Sequence, residues 1–178
     1  TVMDSLWKTR PDVPLIDRVR IQAEVLVPLV RELRIELGEP RAHELLRRTL
    51  GPMFRRAGER FFDEAGRRTF EAMQAHGTES AAGDAVAFET RETENGFEAD
   101  ITRCQYAALF QELGEPELGF LFVCSSDYGI YEAFPDVELE RTQTIMQGAS
   151  HCDFRYRFAR KPDLQPVDMS LRERLQKK

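Results

Sequence analysis

The sequence is poor in the residues from which staples and metal cages are built. It has three cysteines and three histidines in 178 residues. Three thiols cannot all pair within one chain, so a disulfide framework is excluded. There is no Cys-x-x-Cys pair and no His-Glu-x-x-His helix signature, which leaves no zinc ribbon, thioredoxin-type site or zincin. No apolar run reaches the roughly 18 residues of a membrane helix. The first residues lack the basic-then-apolar layout of a secretion signal. A Gly-rich phosphate loop, a dinucleotide fingerprint and kinase motifs are missing as well. Together these absences predict a cytoplasmic protein with reduced thiols, no cofactor and no membrane partner.

What is present is an ordinary globular balance, 42% hydrophobic and 31% charged, enough to bury a core without staples. The length suits one domain over 1–178: a helical part over 1–75, an α+β part over 84–160 and a C-terminal tail over 161–178. The net charge of −6 is unevenly distributed. Residues 1–70 carry 14 Lys/Arg against 11 Asp/Glu, residues 71–140 carry 2 against 16, and residues 141–178 carry 9 against 4. An acidic middle repels phosphate and argues against nucleic acid as a partner. The simplest reading packs basic helices and a basic C-terminal strand near an acidic central element.

From Pro14 to Leu37 the residues Leu15, Val19, Ala23, Leu26, Val30, Leu33 and Leu37 recur at helical spacing, which predicts one buried face. Pro28 should kink this helix. Gly38 ends it, and Glu39-Pro40 starts a second helix, with breaks at Gly51-Pro52 and Gly66. Its Phe54, Phe61, Phe62 and Phe70 read as core. The pattern then changes to period two: Val86, Phe88 and Thr90, an Asn95-Gly96 hairpin turn, then Phe97, Ala99 and Ile101. Gln105–Leu113 reads as a short helix and Glu115–Ser125 as another. Val137–Met146 and Phe154–Phe158 read as strands joined through Gln147-Gly148-Ala149-Ser150. The result is an α+β fold, with N-terminal helices packed on a mainly antiparallel sheet carrying short inserted helices.

The candidate chemistry gathers in four places: Cys104 at a strand-to-helix junction, Cys124-Ser125-Ser126-Asp127, Arg141-Thr142-Gln143-Thr144, and the stretch from Gly148 through His151 and Cys152 to Phe154. Cys124 and Asp127 stand about one helical turn apart and can share a face. A cation such as Arg141 or His151 beside Cys124 would favour the thiolate and make it a nucleophile. Arg141 with Thr142 and Thr144 forms a donor-rich row suited to an anionic group. A metal is not expected, because adjacent His151 and Cys152 would point to opposite faces of a strand.

Cys104-Gln105-Tyr106, Leu113-Gly114-Glu115-Pro116-Glu117-Leu118, Cys124-Ser125-Ser126-Asp127, Arg141-Thr142-Gln143-Thr144-Ile145, and Gly148 followed by Cys152-Asp153-Phe154-Arg155 occur in this order over roughly residues 86–160. The set resembles the L-2-amino-thiazoline-4-carboxylic acid hydrolase family. A more distant likeness is to 4-vinyl-reductase-type small-molecule-binding domains. Those hold zinc with Glu-x-x-Cys and a second Cys eight residues on, where this chain has Arg141, Thr144 and Cys152.

The resemblance implies a metal-independent hydrolase that opens a small cyclic amidine at a C–N bond. Cys124 would attack, Asp127 would bind the amidinium or steer the proton, and His151 would shuttle a proton to the leaving group. Arg141, Thr142 and Thr144 would hold the substrate carboxylate, with Cys104 and Cys152 lining the pocket. Attack by water with Asp127 as base fits the same residues, and both routes stay open. The partner is then a small carboxylate-bearing substrate, and a homo-oligomer is left open. The other class in view is a non-catalytic binding or sensory domain for an apolar or aromatic ligand.

Overall fold

A computed structural model describes residues 13–65, 85–134 and 137–158. Helix α1 spans Leu15–Leu37 and α2 spans Glu39–Ala65. Gly38 joins them with φ +77°, a conformation that favours glycine. Ile16, Ala23, Val27 and Val30 form the buried row of α1. Leu37, expected on that row, is exposed, as are Ile21, Val25, Leu29 and Ile35. The helix is apolar on more than one side, and packing rather than periodicity selects the side that is covered.

Neither proline ends a helix: α1 runs on through Pro28 and α2 through Pro52. The break expected at Gly51-Pro52 does not occur. One glycine of α2 and one of the helix that packs on it bring the two close instead. A Cβ added at Gly58 would lie 2.5 Å from the Ile130 carbonyl oxygen, and one at Gly129 would lie 2.6 Å from the Phe54 Cβ. Gly66, Phe70 and the expected 161–178 tail fall outside the described residues, as do the side chains of Phe61 and Phe62.

Strands β1 (Val86–Thr93), β2 (Gly96–Cys104), β3 (Val137–Glu140) and β4 (Cys152–Phe158) form an antiparallel sheet in the order β1-β2-β4-β3. The fold is therefore α+β, as the pattern predicted. Thr93 pairs with Gly96, so the turn residues are Glu94 and Asn95 rather than Asn95-Gly96. Gly96 is required for a different reason: a Cβ there would collide with the backbone of Tyr156 on β4.

Opposed residues share a face of the sheet. Phe97 with Tyr156, Ala99 with Phe154, and Ile101 with Cys152 line the inner face. On the outer face Arg155 bonds Asp100 at 2.7 Å, Arg157 pairs with Glu140 at 3.3 Å, and Arg91 pairs with Glu98. The basic last strand thus meets acidic neighbours on both sides, which accounts for part of the charge segregation.

Helix α3 (Gln105–Glu112) follows β2, with Cys104 as its N-cap accepting from the Ala107 N–H at 3.4 Å. From Pro116 the chain follows one helical path to Tyr131: α4 (Pro116–Gly119), a π turn (Phe120–Cys124) and α5 (Ser125–Tyr131). It is longer than the expected Glu115–Ser125. A core of Ile16, Val27, Val30, Tyr106, Phe110, Leu118 and Leu121 joins the helical part to the α+β part.

Glu115 locks this junction from the start of α4. Its carboxylate accepts from Arg31 Nε at 2.7 Å and from Arg34 Nη1 at 2.6 Å, and its side chain is almost fully enclosed. Burial alone would push the carboxyl up, but the hydrogen bonds and charges of the two arginines outweigh it and hold the pKa below the usual range. A depressed folded pKa means stability that is present above the unfolded value near 4.5 and is lost as pH falls through the folded one. Glu115→Ala should lower the unfolding free energy by about 2 kcal/mol, less than a fully buried pair because Arg31 is half in water. Urea unfolding at pH 7 and pH 3.5 checks this, and the gap between variant and parent should narrow at the lower pH.

Candidate active site

The site is organised by a buried arginine. Val137–Met146 is not one strand: β3 stops at Glu140, and 141–144 forms a loop leading into a 3-10 turn at Ile145–Gln147. Asp153 holds that loop. Its carboxylate accepts from the Thr142 and Gln143 N–H groups at 3.0 and 2.8 Å and from the Thr142 hydroxyl at 2.5 Å. Bonds that would have continued the strand are thereby replaced, and Arg141 is taken into the protein with 2% of its side chain exposed.

Arg141 donates from Nη1 to Asp127 Oδ2 at 2.7 Å and from Nη2 to the Cys124 carbonyl at 3.1 Å. Its guanidinium carbon lies 5.0 Å from the ring centres of both Tyr128 and Phe154 and 5.7 Å from that of Phe120. Aromatic faces carry negative potential, so the cage offsets part of the hydration that the cation loses on burial. The π turn supports this arrangement. Ser125 and Ser126 send their hydroxyls back to the carbonyls of Phe120 and Val123 at 3.1 and 2.6 Å, which satisfies acceptors in the widened turn. The Cys-Ser-Ser-Asp motif is thus a helix segment whose serines serve the backbone.

Asp127 keeps 32% of its side chain exposed, so the pair has one enclosed and one accessible member. Burial raises the Asp127 pKa, Arg141 opposes the rise through charge and hydrogen bond, and the balance stands at about 6. The three cysteines arrive from three elements and lie within electrostatic reach of one another: Cys124 senses both Cys104 and Cys152. All three are free, with Cys124 and Cys152 buried and Cys104 half-buried. Burial pushes each thiol up. For Cys124 the Asp127 charge adds to that rise, and the opposing pull of Arg141 does not overcome it. Both burial and the Asp127 charge favour the protonated thiol at Cys124. Tyr131 and Tyr156 share a hydrogen bond behind this group, and both feel the Asp127 charge.

Of the residues singled out from the sequence, Cys124, Asp127, Arg141, Cys104 and Cys152 come together. The other three are engaged elsewhere. Thr142 is bound to Asp153. Thr144 is buried, its hydroxyl donating to Gln147 Oε1 at 2.9 Å and accepting from the Gln147 N–H at 3.2 Å. His151 is bonded to Gln143 and Ser150. The caging rings and the two tyrosines were not anticipated as site residues. Phe154 and Tyr156 alternate along β4, while Phe120, Tyr128 and Tyr131 lie along the helical path, and both patterns read equally as core.

A second constellation was missed. Glu39, His43 and Glu117 line an open cavity of about 670 Å³ together with Gln111, Phe120 and Met146. Their ligand atoms lie within 4.8 Å of one another. The i,i+4 spacing of Glu39 and His43 was the available signal. A cation is already there: Arg34 donates to His43 Nε2 at 3.1 Å and stands 4.0 Å from Glu117. The cavity and the cysteine site share Phe120, whose ring also faces Arg141.

An α+β scaffold thus encloses an aspartate–arginine pair among three free thiols. The model of the L-2-amino-thiazoline-4-carboxylic acid hydrolase family matches residues 18–156, and the chain belongs to that family. The family is named for a hydrolase of the thiazoline-carboxylate type. Among curated proteins, no sequence matches the chain. No helix among the described residues is long and apolar enough to cross a membrane.

The burial of the thiols sets their reactivity. With iodoacetamide at pH 7, half-buried Cys104 should label first, and Cys124 should label at least about tenfold more slowly than a free thiol, because the thiolate is the reacting form. Site-resolved mass spectrometry over time checks this. Rapid, selective labelling of Cys124 would show that an activated thiolate exists in the resting site.

Proposed function

We propose that the protein hydrolyses a small cyclic amidine bearing a carboxylate, opening the ring at a C–N bond with Asp127 as the base. The observation that carries this reading is the Arg141–Asp127 pair: an enclosed guanidinium fixes a carboxylate that stays accessible, and burial pushes that carboxyl up to about 6. A general base works best when its pKa lies near the working pH. A negative carboxylate is also the natural partner for an amidinium.

In this mechanism the amidinium carbon sits over Asp127, which takes a proton from water as the oxygen adds to that carbon. The tetrahedral adduct collapses by breaking the bond to the ring nitrogen. Both protons of the water end on that nitrogen, one of them through Asp127. The product is an ammonium beside a carbonyl carbon that keeps the exocyclic nitrogen. Attack by Cys124 is the alternative at the same carbon. The water route is favoured because the buried thiol holds its proton and the neighbouring Asp127 charge strengthens that hold. Cys124 then shapes the site, with its carbonyl as an anchor for Arg141.

With 2-amino-thiazoline-4-carboxylate as the trial substrate, kcat/KM should rise with pH through an apparent pKa of about 6, the deprotonation of Asp127. Asp127→Asn should lose roughly 100-fold or more and flatten that limb. Cys124→Ser should keep activity within about tenfold, since losing a true nucleophile costs on the order of 10⁶ in rate. Steady-state rates between pH 4.5 and 8.5, with intact-mass analysis for a covalent adduct, decide between the two routes. An adduct on Cys124 in the parent together with a dead Cys124→Ser variant would assign attack to the thiol.

A further inference from the structure

Five of the seven large hydrophobic side chains exposed among the described residues stand on α1: Ile21, Val25, Leu29, Ile35 and Leu37. The first four lie on one side. At about 100° per residue, Ile35, Ile21, Val25 and Leu29 fall within an arc of roughly 120°. That arc lies opposite the buried row of Ala23, Val27 and Val30 and also holds the exposed Pro28. Each of the four side chains is more than half exposed. Together they make an apolar patch of roughly 400 Å², a size at which surface patches are often functional.

Charges of opposite sign frame the two ends of this patch. Arg18, Ile21, Val25, Leu29, Glu32 and Glu36 follow one another at spacings of three and four, a stripe that begins with a cation and ends with two carboxylates. The arginines of the acidic end, Arg31 and Arg34, are bound to Glu115. Arg18, Glu32 and Glu36 have no ion-pair partner among the described residues. A second α1 laid antiparallel supplies what each end lacks. The register that sets Val25 against Leu29 of the other copy also sets Arg18 against Glu36, and a two-fold axis makes both contacts twice. A parallel pair would instead bring Glu32 and Glu36 onto their own copies. The same carboxylates oppose an anionic membrane surface.

We infer that the protein forms a two-fold dimer in which α1 packs antiparallel on α1 of a second copy. Val25 and Leu29 form the centre of the contact, and an Arg18–Glu36 pair closes each end. Two such patches with their charged flanks bury about 1,000 Å² in all, the lower bound of a specific interface. Association at that bound is reversible and depends on concentration. The buried row of α1 stays committed to the core of its own chain, so pairing needs no rearrangement.

Sedimentation velocity of the full chain from about 1 to 100 μM tests this, with a dimer expected at twice the 20.5 kDa of the chain. Val25→Glu puts a carboxylate at the centre of the contact and should leave a monomer at every concentration, with circular dichroism and melting temperature recorded. Val25→Ser, a milder change at the same exposed position, should weaken the dimer in the same direction. Arg18→Glu should weaken it about tenfold or more. The double variant Arg18→Glu, Glu36→Arg should recover the parent's affinity to within about threefold, because the exchanged charges meet again across the axis. A parent that stays monomeric, whether or not it floats with vesicles of phosphatidylcholine and phosphatidylserine, would overturn the proposal. So would a dimer indifferent to both Val25 variants. Failure of the double variant to recover association, with the fold intact, would overturn the antiparallel pairing.

Discussion

Taking a guanidinium out of water is expensive, and the geometry around Arg141 is arranged to compensate for that cost. An ion of this size loses several kcal/mol of hydration on burial unless charge, hydrogen bonds and polarisable neighbours replace it. Here Asp127 supplies the charge, the Cys124 carbonyl supplies a second acceptor, and Phe120, Tyr128 and Phe154 supply faces. These partners come from the π turn, α5 and β4, so the cation binds three parts of the fold. The end of β3 at Glu140, the Asp153-held loop and the widened turn at Phe120–Cys124 all serve to bring Arg141 to this position.

The same enclosure sets the chemistry. An environment that excludes water raises every acid it contains, and each group responds according to its neighbours. Asp127 is restrained by Arg141 and stays within reach of neutrality, whereas the thiols are left protonated. Arg141 therefore checks the rise of the Asp127 carboxyl more effectively than that of the Cys124 thiol. The helical hairpin contributes from a distance. Gly58 and Gly129 let α2 lie directly on α5, and Glu115 ties α1 to the start of the helical path that carries Cys124 and Asp127.

Periodicity exposed much of this fold in advance. The two long helices, the first hairpin, Gln105–Leu113 as a helix and β4 are all visible in the spacing of apolar residues. What was illegible has physical causes. Gly51-Pro52 looks like a break, yet the local cost of glycine and proline is outweighed by packing of α2 on α5. Val137–Met146 looks like one strand because its composition is β-favouring; the terminator is Asp153, eleven residues beyond Thr142, and tertiary hydrogen bonds leave no local trace. The same limit applies to the site. Cys124, Asp127 and Arg141 were legible as chemistry-bearing types in a recognisable order, and their convergence follows.

The site stands on Arg141 holding a carboxylate that burial would otherwise neutralise. The most direct measurement is the titration of the Asp127 carboxyl carbon by ¹³C NMR in the parent and in Arg141→Gln. The parent should titrate at about 6. The variant should titrate higher, because removing the cation leaves burial unopposed. A midpoint near 4 that is indifferent to Arg141 would mean that Asp127 is an ordinary solvated aspartate, and the pair would no longer organise the site.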